Sequence, residues 1–528
     1  MAKILKTLAK HNPLRKRKSK SKAATIRLLQ WNILADGLGE DGFLATEFSP
    51  IFESADVKSK SYSANEFMKL VREAKLADTA SGMASKFSEL KGAEKMLKKL
   101  KESAEGYSEL RESTRKLREE TDRSELVKLK KQFQNSPQLQ KVDGEILSWS
   151  KRSERIKRIV LQARPDVITF QEMDHVQQFL QDKDFSARYT CMVDAAKAYK
   201  PPTYTGHKGG SPHDDLSPDK YFHHLLASRA AFAPKSYSNA YLFRSKRDAK
   251  APGTHTIDSI DTIDDDGCVI FWKKDTFKPV ELGFLRIPSD TEKSEAVVAL
   301  TLQHLKTDTM LNVLTAHLPS GDEHSKELER LAVLNNPSAN WTARRIHFQG
   351  KDWKEVPYED NPKFVGVTSY VKYFADRKDS HTIFALDANS RPSFPRIKSD
   401  SSSSQTNVWD TILQDTNLES IWVQSSHLQK TGEPHNSKQP FVVSVNKMRG
   451  PSSNQPSKIG EHQLELIDHV FTNGQLSQLV TSVDLKKKES VPTAPLLYES
   501  KEGEAELHLY PSSKMPSDHL PVVVDISL

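Results

Sequence analysis

The sequence predicts a layered α/β fold, and three observations carry that expectation. From Ile156 onward, helical and strand-like segments alternate along the chain. The strand-like segments are short apolar runs, of the kind buried inside the sheet of an α/β protein. Several of them stop abruptly at an Asn, Glu, His or Asp, as strands do when their ends gather at one rim. Strands mixed with helices in this order form stacked layers rather than separate helical and β domains.

Taken in order, the chain opens on a basic arm, residues 1–25. From Met1 to Ala35 there is no Asp or Glu, whereas Arg15, Lys16, Arg17, Lys18, Lys20 and Lys22 form a dense block. Such an arm attracts phosphate backbones, serves as a nuclear address, or is a disordered solubilising tail. The stretch Met1–His11 also has the basic, mildly amphipathic character of a weak mitochondrial presequence. Ile26–Leu34 reads as a strand, followed by a glycine-rich turn at Asp36–Gly42. From about Ala64 to Arg158, Lys, Glu, Leu, Ala and Ser dominate, and Leu110 and Leu117 stand one heptad apart. This predicts long helices, with about Ser61–Gly144 an inserted helical element acting as a lid, a dimerisation arm or a docking surface for a protein partner.

Ile156–Gln162 is an expected helix that Pro165 stops, and Val167–Phe170 a buried strand ending in Gln171-Glu172. Pro201–Pro218 is an expected loop. Further strands are expected at Cys268–Trp272, Ala296–Leu302, Leu311–Ala316, Thr382–Leu386, Leu466–Phe471 and Leu520–Ile526, with exposed loops at Ser399–Ser404 and Arg449–Lys458.

Composition narrows the classes of function. Only 36% of the 528 residues are hydrophobic, so part of the length is expected to be loop or solvated helix. No apolar run approaches the length of a bilayer span. The two cysteines, Cys191 and Cys268, are too few for a disulfide framework or a cysteine metal site, which fits an intracellular protein, in cytoplasm or nucleus. A formal charge of +7 favours anionic partners, although much of that excess sits in the N-terminal arm.

The chemistry-bearing residues lie at the ends of the apolar runs. Asn32 closes the first, Glu172 the second, and His317 follows Leu311–Ala316. Asp387 and Asn389 follow Ile383–Leu386, Asp468 interrupts Leu466–Phe471, and Asp518-His519 immediately precede Leu520–Val524. Each has an ordinary explanation by itself. Glu172 can cap a helix beginning near Asp174, Asp387-Ala388-Asn389-Ser390 reads as an Asx turn, and Asp518 as a loop cap. Gathered at one rim, the same groups suit phosphoryl chemistry, in which a protein chiefly positions atoms and stabilises charge.

All of these motifs occur together and in one order. Gln30-Trp31-Asn32-Ile33-Leu34, Pro165-Asp166 with Gln171-Glu172, Ala316-His317-Leu318, Leu386-Asp387-Ala388-Asn389-Ser390, Ile467-Asp468-His469 and Ser517-Asp518-His519-Leu520-Pro521 form the series. It resembles the endonuclease/exonuclease/phosphatase superfamily. Within that superfamily it is most similar to the nocturnin-like, deadenylase-related branch. The segments Ala35-Asp36-Gly37-Leu38-Gly39-Glu40, Trp149-Ser150-Lys151-Arg152, Met173-Asp174-His175 and Asp266–Trp272 carry that closer likeness. The likeness runs from about Ile26 to the C-terminus and is interrupted by the helical segment.

The resemblance implies a four-layer α/β sandwich, two packed mixed sheets flanked by helices, with the site between the sheets. It implies Mg2+, with Mn2+ as a substitute. By the same resemblance Glu172 binds the metal with Asn32 beside it, and Asp518 reaches the metal directly or through water. Asp387 and Asn389 position the attacking water and the scissile phosphate, His317 contacts phosphate oxygens, and Asp468 orients the catalytic His519. Pro440-Phe441 and Asn446-Lys447-Met448-Arg449 resemble the branch's substrate-side segment, making Lys447, Arg449 and Phe441 candidates for substrate binding. The expected function is a 3′-exoribonuclease acting on RNA. The alternatives are a nucleotide phosphatase such as an NADP(H) 2′-phosphatase, and a non-catalytic scaffold that binds partners through its helical insertion. The run His317-Leu318-Pro319-Ser320-Gly321-Asp322 lacks the basic residues of the branch at this place, which argues against a strong hold on a terminal phosphate.

Overall fold

A computed structural model describes residues 24–35, 43, 52–53, 61–62, 146–173, 175–191, 233–234, 267–286, 296–321, 324–349, 352–398, 405–430, 441–448, 462–485, 489–494, 496–498 and 509–528. The basic arm lies outside the described residues, as do nearly all of the expected helical insertion and the expected loops at Asp36–Gly42, Pro201–Pro218, Ser399–Ser404 and Arg449–Lys458.

Two mixed sheets face one another. Six strands frame the site: β1 (Thr25–Asn32), β2 (Val167–Met173), β3 (Met310–His317), β4 (Ser380–Asp387), β5 (Asp468–Thr472) and β6 (Val522–Ser527). The first sheet runs Gln475–Leu479, β6, β1, β2, Gly267–Lys273, Tyr189–Cys191. The second runs Asp352–Glu355, Thr342–Gln349, Phe277–Arg286, Ala296–His304, β3, β4, β5, Glu419–Ser420.

Each sheet holds one central parallel pair, β1 with β2 and β3 with β4, flanked by antiparallel neighbours. Parallel strands finish at the same edge. Asn32 therefore ends level with Gln171, and His317 level with Asp387. The antiparallel neighbours bring their beginnings to that edge: Asp468 pairs with Asp387, and the residues just before β6 arrive beside the end of β1. Strand direction alone thus collects residues from distant parts of the chain. Ligands of open α/β sheets bind at such carboxyl ends.

The period-2 alternation of β1 divides its two faces. Gln30 turns into the space between the sheets, where its Nε2 donates to Gln171 Oε1 and Asp468 Oδ1, both at 2.9 Å. Gln171 Nε2 in turn donates to Thr315 Oγ1 across the sheets at 2.8 Å. Trp31 and Phe170 lie on the opposite face and meet edge to face. There Phe170 and Phe271 pack on Phe179 and Phe185 of the short helical segments Val176–Gln181 and Lys183–Ser186. Each such ring pair adds about 0.5–1.5 kcal/mol beyond its burial.

Helix α1 (Trp149–Ala163) is longer than the expected Ile156–Gln162 and buries Ile156, Ile159, Val160 and Ala163 at helical spacing. It ends as Pro165 requires: Arg164 turns left-handed at φ 52°, and its N–H closes on Val160 O. On the second sheet, α2 (His324–Leu334), α3 (Val367–Ala375) and α4 (Val408–Thr416) pack on one another, with Trp409 against Phe471. Helices, sheet, sheet, helices: this is the four-layer sandwich. Cys191 and Cys268 are buried free thiols. No helix among the described residues is long and apolar enough to cross a membrane.

Candidate active site

The rim between the sheets is polar and buried. Asn32, Glu172, His317, Asp387, Asp468, Asp518 and His519 are each no more than 8% exposed. Asn32 Nδ2 donates to Asp387 Oδ2 at 2.8 Å, and its Oδ1 accepts from Leu34 N at 3.0 Å, so its amide is fixed from both ends. The Asn389 backbone N–H donates to Asp387 Oδ1 at 2.9 Å. The Asn389 side chain donates through Nδ2 to Leu318 O at 2.9 Å and lies 2.8 Å from His317 Nε2. Both contacts use the same amide nitrogen, which makes His317 Nε2 the acceptor. His317 Nε2 stands 3.3 Å from Asp387 Oδ2 and 3.8 Å from Glu172 Oε1.

Backbone strain accompanies this convergence. Leu34, Glu172 and Asn389 all have positive φ, at 59°, 56° and 48°. Such conformations in residues other than glycine persist only where surrounding contacts over-determine them. At Glu172 the register of β2 against Gly267–Lys273 shifts between Phe170 and Met173. The irregularity re-aims the carboxylate into the site, as bulges beside active sites do. The next helix begins only at Val176, after His175, so Glu172 belongs to the strand end and the alternative of a helix cap does not hold.

Asp468 and His519 form a second unit. His519 Nδ1 bonds to Asp468 Oδ2 at 2.8 Å, and Asp468 Oδ1 is held by Gln30. The Ser444 hydroxyl accepts from the Asp468 N–H at 3.1 Å, and Trp31 Nε1 donates to His519 O at 2.8 Å. Burial works against a charged His519 ring, but Asp468, Asp518 and Asp387 outweigh it and lift the imidazolium to about 9. His519 Nε2 points toward Asp387 Oδ2, 3.8 Å away. Burial pushes the Asp387 carboxyl up to about 6, with His519 opposing and Asp468 adding to the rise. A carboxylate ionised at neutral pH but more basic than usual therefore faces an imidazolium.

Two further carboxylates stand at the rim, Glu172 and Asp518, the latter already paired with Lys447 through Oδ2. Glu172 Oε2 accepts from Ala35 N at 3.2 Å. Burial resists ionisation of Asp518, but Lys447 and His519 hold it below the ordinary range while the nearby Glu172 charge opposes them. Glu172, Asp518 and the Asn32 amide offer hard oxygen atoms, the kind of donor that divalent cations such as Mg2+ take. Asp387, Asp468 and His519 also bring potential ligand atoms within 4.8 Å of one another. Asp468 already engages His519 through one oxygen and Gln30 through the other, so this trio is better fitted to hold a proton than a metal.

Eight sequence-expected residues, Asn32, Glu172, His317, Asp387, Asn389, Asp468, Asp518 and His519, thus share one rim. Lys447 reaches it too: its Nζ bonds to Asp518 Oδ2 at 2.5 Å. Phe441 begins the strand Phe441–Val443, and Arg449 lies outside the described residues. Gln30, Gln171 and Ser444 support the site but were not expected from sequence. The first two belong to quoted motifs, and their place facing inward follows from strand alternation.

The Endonuclease/Exonuclease/phosphatase family model matches residues 138–519, more than half of the chain. The chain belongs to this family. Its members hydrolyse phosphoric esters, and the chain is an enzyme of that class. No curated protein sequence matches the chain. Among solved structures it is similar to the human Nocturnin catalytic domain with bound sulfate anion, at 14% identity over 72% of this chain and 87% of that one, TM-score 0.35. It is similar to ANGEL2, a 2′,3′-cyclic phosphatase, at 14% identity over 72% and 86%, TM-score 0.36. It is also similar to D. rerio TDP2 complexed with single-strand DNA product, at 11% identity over 72% and 92%, TM-score 0.33.

Proposed function

We propose that the chain is a divalent-metal-dependent 3′-exoribonuclease of the nocturnin-like, deadenylase-related branch. The observation that carries this reading is the gathering of Glu172, Asp387, Asn389 and His519 on one buried rim, within a family of phosphoric ester hydrolases. Asp387, its carboxyl raised to about 6 by burial, orients a water and takes its proton as the new P–O bond forms. The P–O3′ bond then breaks and the leaving O3′ takes a proton from solvent, releasing a nucleoside 5′-monophosphate and a shortened strand with a 3′-hydroxyl. His519, kept charged by Asp468, Asp518 and Asp387 against the pull of burial, neutralises the developing oxyanion. His317 and Asn389 border the same space and would meet phosphoryl oxygens once substrate opens the contact between them. Glu172, Asn32 and Asp518 would hold the cation. When bound, it supplies Lewis-acid neutralisation of charge at the phosphoryl group. Lys447 adds a positive charge on the same side.

The test is a 5′-labelled oligoadenylate incubated with Mg2+. Stepwise shortening from the 3′ end, abolished by Asp387→Asn and by EDTA, supports the reading. An intact oligonucleotide beside inorganic phosphate released from NADP(H) would replace it with the phosphatase reading. If neither substrate is altered, both are rejected.

A further inference from the structure

Arg152 and Arg330 are both fully buried, one in a helix behind each sheet. A guanidinium keeps its charge at all ordinary pH, so its burial must be offset by hydrogen bonds. Both side chains spend most of those bonds on loop carbonyls, apart from Arg330 Nε, which donates to Lys326 O of its own helix at 3.4 Å. From α1, Arg152 Nε donates to Pro516 O at 2.9 Å and Nη2 to Ile33 O at 2.8 Å and to Leu34 O. It ties the loop leaving β1 to the segment entering β6. From α2, Arg330 Nη1 donates to Asn389 O at 2.5 Å and Nη2 to Gly321 O. It ties the loop leaving β3 to the loop leaving β4. Glu327, 3.3 Å from Arg330, extends this tie by accepting from Ser390 Oγ at 3.0 Å and Val408 N at 2.9 Å.

The two arginines share one further feature. Each grips the carbonyl of a residue held at positive φ: Leu34 for Arg152 and Asn389 for Arg330. These unfavourable backbone conformations aim the site. Leu34 fixes the Asn32 amide through its N–H, and Asn389 faces His317 and Asp387. A planar fork reaches two carbonyls from different loops at once, which a single ammonium does not reproduce.

We propose that Arg152 and Arg330 are two separable positioning residues, Arg152 setting the cation half of the site and Arg330 the phosphate half. Neither touches the reacting atoms. The assignment of halves rests on the reading above, whereas the loop-holding itself does not.

Arg152→Lys and Arg330→Lys in the full chain test this, with Arg152→Gln and Arg330→Gln alongside should the buried ammonium prevent folding. Three measurements are made: Mn2+ affinity by calorimetry, kcat and KM on labelled oligoadenylate, and amide hydrogen exchange of loop peptides. The Arg152 variants should bind Mn2+ about 10–100-fold more weakly, as loss of an outer support does at metal sites. They should speed exchange at residues 33–35 and 517–519 alone. The Arg330 variants should keep Mn2+ affinity within about threefold while kcat falls about 10–100-fold, and speed exchange at residues 318–321 and 389–391 alone. Equal effects of both substitutions on both halves, or no effect on either, would overturn the proposal. If the wild-type chain binds no Mn2+ and cleaves no RNA, the functional reading fails, and the exchange pattern alone decides whether the arginines hold separate loops.

Discussion

Replacing Asp468 with asparagine removes one charge and leaves the His519 hydrogen bond able to form. The His519 imidazolium sits at about 9 against an ordinary 6.5. That displacement corresponds to about 3 kcal/mol of preference for the charged ring. The folded value lies above the unfolded one, so this contribution is whole below pH 6.5 and is lost as pH rises through 9. Burial is the largest single influence on the ring and acts downward, while Asp468 is the largest of those acting upward. Without the Asp468 charge, Asp518 and Asp387 alone oppose burial, and the ring should titrate clearly below 9. NMR titration of the imidazole Cε1–H in metal-free protein reads this directly. At neutral pH the variant should also lose about 10²–10⁴ in kcat, as expected when a catalytic imidazole loses its charge and orientation. A His519 pKa unchanged by Asp468→Asn would refute the electrostatic account, however the rate responded.

Asn389→Ala should lower kcat about 10²–10³-fold with little change in KM, measured by steady-state kinetics, because it removes an amide beside the developing charge. Lys447→Met should raise KM for oligoadenylate and reduce its salt dependence by about one charge, read from rates across a salt series. It should also lift the Asp518 carboxyl, which Lys447 helps to depress against burial. Gly283→Ala should destabilise the fold by about 1–3 kcal/mol without altering Mn2+ affinity, seen by scanning calorimetry. A Cβ at Gly283 would collide with the Tyr370 hydroxyl and press on that of Tyr358.

The residues that are legible in the sequence are those at strand ends. An apolar run that stops at Asn32, Glu172, His317 or Asp387 marks both an element and its functional tip, since strand direction then delivers the tip to the rim. Phe277–Arg286 was not legible because Pro279 and Gly283 interrupt it. In the structure the register shifts between Pro279 and Glu281, and Gly283 admits the tyrosine hydroxyls. Thr342–Gln349 was hidden by Arg344, Arg345 and His347, two of which pair with the buried Glu281. Arg152 stood in a recognised motif, but Arg330 and Glu327 were indistinguishable from ordinary charges on a helix, because their partners are mostly backbone atoms of remote loops. Lys447 shows a different limit. Its basic character was legible, but the carboxylate it pairs with, Asp518, depends on the fold.

The central claim is that Glu172, Asp387 and His519, taken from three distant stretches of chain, serve one cation and one phosphate. Paramagnetic broadening of histidine ring resonances by substoichiometric Mn2+ tests it most directly. Broadening of His317 and His519 should come first, leave His381 and His427 sharp, and vanish in Glu172→Gln. Broadening that spares His519, or that survives loss of the Glu172 charge, would contradict the claim.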